Sequence, residues 1–191
     1  MANLALKEAG NRKFTYADYK SWELKEGERF ELIYGEAYAM AAPNTTHQLI
    51  AMTLAGEFYA FFKGKPCKAI PAPFDVRLFY GDDESDDTVV QPDLVVVCDP
   101  EKLGPEGCRG APDMAVEILS PSNTAIEMNL KLNLYQEAGI REYWTVDPEN
   151  KHIGVYRLQG GLYVIQSYRL QDTAEPAIFP GLKIELSALF G

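Results

Sequence analysis

The apolar positions of the chain change period several times, and each change marks an element. Phe14, Tyr19 and Trp22 surround Thr15, whose hydroxyl can accept a backbone N–H, so a short helix is expected from Thr15 through Trp22. Two apolar runs, Phe30–Tyr34 and Ala37–Met40, meet at Gly35-Glu36 and read as a hairpin. From Thr45 to Lys63 the spacing turns helical, with Leu49, Ile50, Leu54, Phe58, Phe61 and Phe62 at steps of three and four, until Gly64 stops it.

Alternation returns in Cys67–Ile70 and Phe74–Phe79. Residues 91–98, QPDLVVVC, and 113–119, DMAVEIL, are near-continuous apolar runs of the kind covered on both faces of a sheet. Ser120-Pro121-Ser122 is a turn that offers a helix cap, and Ile126, Leu130, Leu134 and Tyr135 trace a second helix ended by Gly139. A strand at Glu142–Val146 follows, and strand, helix, strand in that order predicts a right-handed crossover between parallel strands. The remainder reads as a hairpin, His152–Leu158 and Leu162–Tyr168 about Gln159-Gly160-Gly161, with a last strand near Leu182–Leu186. The predicted architecture is α/β (α+β): one domain over residues 1–191, a mixed sheet with flanking helices, and residues 1–13 as a loose polar lead.

Charge changes this picture locally. Against 18 Lys and Arg stand 28 Asp and Glu, a net charge of −10, which excludes a uniformly basic nucleic-acid binder. Five of the acids, Asp82, Asp83, Glu84, Asp86 and Asp87, crowd into one stretch with the composition of a solvated hairpin loop. It lacks the glycine position and closing Glu of an EF-hand. The three cysteines, Cys67, Cys98 and Cys108, are odd in number and widely spaced, which argues against a disulfide framework or a zinc ribbon. With no signal-like or membrane-length apolar run, a cytoplasmic location without membrane attachment is expected.

The strand at 113–119 contains an oddity, the carboxylate of Glu117 between apolar neighbours, where an unpaired charge costs several kcal/mol. Asp93 opens the neighbouring apolar run in a similar way. On adjacent strands, both acids project at one end of the same sheet face. A helix starting near Ser122 runs back along the sheet and carries Lys131 roughly 13 Å along its axis. Glu117 stands about 10 Å back from the strand end, so the two are level. Two carboxylates and a lysine are the minimum equipment for hydrolysis with a divalent metal: the acids hold Mg²⁺ and the lysine steadies charge on phosphate.

In their order, the motifs FELIYGEAYAM, His47 opening the long helix, PFDVRL, QPDLVVV, GAPDMAVEILSPS, Lys131 with Tyr135, GIREYWTVDP and PGLKIELSALF make the chain resemble the Uma-type restriction endonuclease family, which has the PD-(D/E)XK nuclease fold. The likeness runs from about Tyr16 to the C-terminus. It implies a restriction-endonuclease-like sheet and a metal-dependent phosphodiesterase core, with Asp93 and Glu117 as Mg²⁺ or Mn²⁺ ligands. The common nuclease motif has a lysine two residues after the second acid, where Leu119 stands here; the resemblance assigns that role to Lys131. Glu36 and His47 match further positions near the family's site. Glu127 stands one turn before Lys131, where an Asp is expected in relatives.

Each residue also has a structural reading. Glu117 is a strand residue paired structurally with Lys131 or Arg141, His47 serves as a first-turn helix residue, and Glu36 is a polar hairpin position. Asp75 either extends the acidic cluster or sits on an exposed strand face, and Tyr143 and Trp144 read as core. Two functions follow: a Mg²⁺- or Mn²⁺-dependent endonuclease acting on nucleic acid, DNA in the first instance, or a catalytically inactive module of the same fold that binds nucleic acid or a protein. Cationic residues such as Lys63, Lys65, Lys68, Arg109, Arg141 and Arg157 are dispersed in sequence. A third, structural reading is a homodimerisation scaffold, and a homodimer is also compatible with a nuclease whose substrate has two strands.

Overall fold

The computed structural model describes residues 12–121 and 124–191. Helix α1, Tyr16–Lys20, starts at Thr15, where a capping box forms with Asp18. Strands β1, Phe30–Ile33, and β2, Glu36–Ala39, pair in the expected hairpin, with Tyr34 and Gly35 both at positive φ in its two-residue turn. Helix α2, Thr45–Phe62, is capped by Asn44 and followed by Gly64 at positive φ. Short strands β3, Lys68–Pro71, β4, Val76–Arg77, and β5, Val89–Val90, lead to β6, Leu94–Val97. A small hairpin, β7, Leu103–Gly104, and β8, Gly107–Arg109, precedes β9, Met114–Ile118. Helix α3, Ala125–Glu137, connects β9 to β10, Glu142–Asp147, and β11, His152–Gln159, turns through Gly160 and Gly161 into β12, Leu162–Arg169. Strands β13, Thr173–Ala174, and β14, Ile184–Glu185, form a separate pair, and α4, Leu186–Leu189, ends the chain.

The mixed α+β fold is the one expected, but the strands divide between two six-stranded sheets. The main sheet has the order β12-β11-β10-β9-β6-β3, and the second β2-β1-β5-β4-β8-β7. As the crossover required, β9 and β10 are parallel, while β6 and β9 are antiparallel neighbours. Strand alternation assigns the faces of the main sheet. Leu94, Val96, Met114, Val116, Trp144 and Val146 meet Leu54, Phe58 and Phe62 of α2 in one core. Val95, Val97, Ala115 and Tyr143 point the other way, into a second core with Leu134 and Tyr135 of α3 and with Ile33 and Val76 of the second sheet. Asp93 and Glu117 share the parity of this second group, and that places them between the sheets, on the α3 side.

Three expectations are corrected. Cys67 and Cys98 form a disulfide, leaving Cys108 free and buried. Pairing of Lys68 with Val97 across β3 and β6 sets the two cysteines directly opposite each other, a proximity that linear spacing does not reveal. Disulfides persist chiefly in oxidising compartments, so the cysteines lend no support to the expected cytoplasmic location. The helix cap expected at Ser122 is provided by Thr124, whose hydroxyl accepts from the Glu127 N–H while Glu127 accepts from the Thr124 N–H; Ser122 itself, like residues 1–11 of the polar lead, lies outside the described residues.

The acidic stretch is not uniformly solvated either. Asp86 is buried and accepts twice from the guanidinium of Arg77, once from Nε at 2.9 Å and once from a terminal nitrogen. The guanidinium lies 3.8 Å from the centre of the Tyr16 ring, so α1, β4 and the acidic loop are fastened at one point. Exposed Asp82, by contrast, accepts from the Tyr80 hydroxyl. Removing one partner of a buried ion pair strands the other charge, so Asp86→Ala is expected to lower unfolding free energy by about 3–5 kcal/mol. Asp82→Ala is expected to stay within about 0.5 kcal/mol of the parent. Urea unfolding of the two variants checks this, and equal midpoints would remove the anchoring role.

Candidate active site

Register brings the two acids together. Leu94 pairs with Val116 in the antiparallel β6–β9 ladder, so Asp93 and Glu117 occupy the next opposed positions, just where β6 begins. Asp93 Oδ2 accepts the backbone N–H of Ile118 at 2.7 Å, which fixes its carboxylate against the neighbouring strand. Its backbone carbonyl also accepts from Ala72, tying the site to the end of β3.

Lys131 and Tyr135 stand one turn apart on α3 and reach the same atom of Glu117. The Lys131 ammonium donates to Glu117 Oε1 at 2.8 Å, and the Tyr135 hydroxyl donates to it at 2.6 Å. Glu117 Oε2 has no hydrogen-bond donor among the described residues. The depth counted along strand and helix therefore matches the observed pairing, and Arg141 instead meets Asp113 at 3.1 Å. Burial pushes the Glu117 carboxyl above the ordinary glutamate range; Lys131 opposes that shift, and Glu31 and Asp93 add to it. For Lys131, its two carboxylate partners overcome the cost of burial and hold the ammonium charged.

Glu31 is the residue that sequence reasoning missed. It lies on β1, is buried, and accepts from Lys131 at 2.9 Å, so the lysine bridges the two sheets. Its Oε1 also accepts the backbone N–H of Gln91 at 2.8 Å. The Gln91 side chain donates to Asp75 at 2.7 Å, and the Tyr19 hydroxyl meets the same carboxylate oxygen at 3.1 Å. Asp75 is thus neither an exposed strand residue nor part of the acid pair, but a half-buried acceptor behind it. The signal for Glu31 was the one that exposed Glu117, a carboxylate inside an apolar strand, here Phe30-Glu31-Leu32-Ile33.

His47 reaches the site from the first turn of α2, with Nε2 3.3 Å from Asp93 Oδ2. The hydrogen bond to Asp93 raises its pKa, against the effect of burial. Glu36 does not reach the site: it is exposed on the hairpin, bound to Lys13 at 2.8 Å and to the Tyr38 hydroxyl at 3.2 Å. Glu127 lines the cleft, but its carboxylate is engaged in the α3 cap. Tyr143 and Trp144 are buried as expected, and the Trp144 indole donates to the buried carboxylate of Glu142 at 2.7 Å.

A cleft of about 350 Å³ opens over this group, with Asp93, Glu117, Lys131, Glu31 and His47 in its walls. Among the described residues, Asp93 and Glu117 each direct one oxygen to protein donors and keep the other without one, a pattern of hard oxygen donors that suits Mg²⁺ or Mn²⁺. Among the described residues no three His, Cys, Asp or Glu side chains converge to ligate an ion. Two carboxylates with water and substrate oxygens are an ordinary Mg²⁺ set, so the donors present fit such an ion.

The family model described as "Uma2: Putative restriction endonuclease" matches residues 16–187. The uncharacterized protein slr1290 of Synechocystis sp. is 26% identical over 165 residues, covering 85% of this chain and 84% of that protein. A crystal structure of a putative nuclease belonging to DUF820, from Anabaena variabilis, superposes with a TM-score of 0.73 at 20% identity, over 93% of this chain and 97% of that one. That likeness is one of fold.

The raised Glu117 pKa has a defined consequence for stability. Between the ordinary glutamate value of 4.5 and the higher folded-state value, the folded protein holds a proton that the unfolded chain has lost. Stability therefore falls as pH rises through that window. In chelator, melting temperatures of the parent are expected to decline relative to Glu117→Gln as pH is raised from about 4.5. A difference that does not change with pH would show that Glu117 is not shifted upward.

Proposed function

The chain belongs to the Uma2 family of putative restriction endonucleases, and from the acidic cleft built on that fold we propose that it is a Mg²⁺- or Mn²⁺-dependent endonuclease that hydrolyses phosphodiester bonds of DNA. One observation carries the reading: two carboxylates opposed across adjacent strands, with a buried lysine ammonium 2.8 Å from one of them, in the wall of an open cleft. A divalent ion bound there supplies Lewis-acid polarisation of the phosphate and acidification of water.

The remaining work falls to the chain's own residues. Asp93 and Glu117 would hold the ion through the oxygens that no protein group occupies. The Ile118 N–H and His47 keep the Asp93 carboxylate from rotating away. Tyr135 and Lys131 fix Glu117 in the same manner, and Lys131, kept protonated by Glu31, presents positive charge to the phosphate as negative charge builds in the transition state. The alternative, a binding module without turnover, predicts nucleic-acid binding that is indifferent to these residues. A homodimer would present one such cleft to each strand of a duplex, which light scattering tests.

Cleavage of supercoiled and linear DNA in Mg²⁺ or Mn²⁺ is expected to disappear in chelator and in Glu117→Gln and Asp93→Asn. Lys131→Met is expected to slow it about 10²–10³-fold. Titration calorimetry with Mn²⁺ is expected to show binding that the two acid variants lose. Parent-level cleavage in Glu117→Gln would sink the proposal.

A further inference from the structure

Among the described residues, the walls of the cleft contain one cation that the acid network does not use. Arg29 is half-buried immediately before β1, and its backbone carbonyl accepts from Met40 across the hairpin at 2.9 Å. Residues of alternate parity, Arg29, Glu31 and Ile33, line the cleft together, while Leu32 packs on the other side against Tyr16 and Val89. The face that delivers Glu31 to Lys131 therefore turns the Arg29 side chain to the same cleft, two residues along the strand.

The charges in that space are unevenly committed. Lys131 is bound by Glu31 and Glu117, His47 by Asp93, and Glu127 by the α3 cap. Arg29 makes no ion pair or side-chain hydrogen bond among the described residues. An arginine held beside carboxylates without pairing to any of them keeps its donors for an anion from outside. Its planar fork matches the two oxygens of a phosphate, which a flexible lysine meets only as a point charge.

We propose that Arg29 is a phosphate clamp of the cleft, binding a nucleic-acid backbone phosphate through its guanidinium and thereby seating the strand over Asp93 and Glu117. The substrate assignment rests on the endonuclease reading; the affinity for a phosphate oxyanion does not. Across a chain of net charge −10, a local cation of this kind also supplies attraction where it is needed rather than over the whole surface.

Two measurements test it on the full chain. In metal-free protein, the Arg29 side-chain Nε resonance, assigned by its loss in Arg29→Met, is expected to shift saturably with inorganic phosphate; an unmoved resonance overturns the clamp. Fluorescence anisotropy with a DNA duplex, and with RNA of the same sequence, is then read over a salt series. Arg29→Met is expected to weaken binding about 10- to 100-fold and to reduce the salt slope by about one. Arg29→Lys is expected to keep the slope and recover only part of the affinity. A folded Arg29→Met with parent affinity and slope overturns the proposal, and so does full recovery by lysine, which would reduce the fork to a point charge. If Arg29→Met does not fold, the phosphate titration of the parent, assigned through Arg29→Lys, decides. Parent protein that responds to phosphate at Arg29 yet cuts nothing refutes the endonuclease reading alone, whereas cleavage with an Arg29 indifferent to phosphate refutes the clamp alone.

Discussion

The ammonium of Lys131 is the point on which the two halves of the molecule depend. It comes from α3 and is held between Glu117 of the main sheet and Glu31 of the second sheet. Each carboxylate would be costly where it lies without a counter-charge, and the lysine would be costly without them. The arrangement is tolerable only when all three are present with their hydrogen bonds made, including those from Tyr135 and the Gln91 N–H. The site's electrostatics and the docking of the sheets are therefore one problem, solved by the same three side chains.

A second consequence is that the residues behind the site are not neutral scaffolding. Gln91 connects Glu31 to Asp75, and Asp75 connects to Tyr19 of α1. The same helix contributes Tyr16, whose ring stacks on the Arg77 guanidinium. A short, five-residue helix thus touches both the buried Arg77–Asp86 pair and the outer end of the network that positions Glu31. These polar connections add to an apolar anchor, since Tyr16 is buried against Leu32 and Val89 with Phe14, Tyr19 and Trp22 around it.

Sequence reading succeeded where a single periodicity decided the outcome. Asp93 and Glu117 were legible as acids interrupting apolar strands, and Lys131 as level with Glu117, because rise per residue is nearly constant in strand and helix. The β9–α3–β10 crossover was legible for the same reason. What failed depended on partners far apart in the chain. Glu31 carries the same strand signature as Glu117, yet only the docking of a second sheet makes it part of the site, and alternation does not count sheets. Glu36 was carried by motif likeness, and its position on the exposed strand of the hairpin keeps it with Lys13. Asp86 looked like its four acidic neighbours until Arg77 claimed it, and Cys67 met Cys98 through a register that spacing cannot encode.

The parity of the main sheet couples folding to the geometry of the acid pair. A slip of one residue between β6 and β9 would turn Glu117 from the cleft into the apolar layer beneath α2, among Phe58 and Trp144. There it would lose the donors that Lys131 and Tyr135 supply, so the slipped arrangement carries the cost of a buried, unpaired carboxylate. The register that buries the apolar residues of β6 and β9 is thus the one that aligns Asp93 with Glu117.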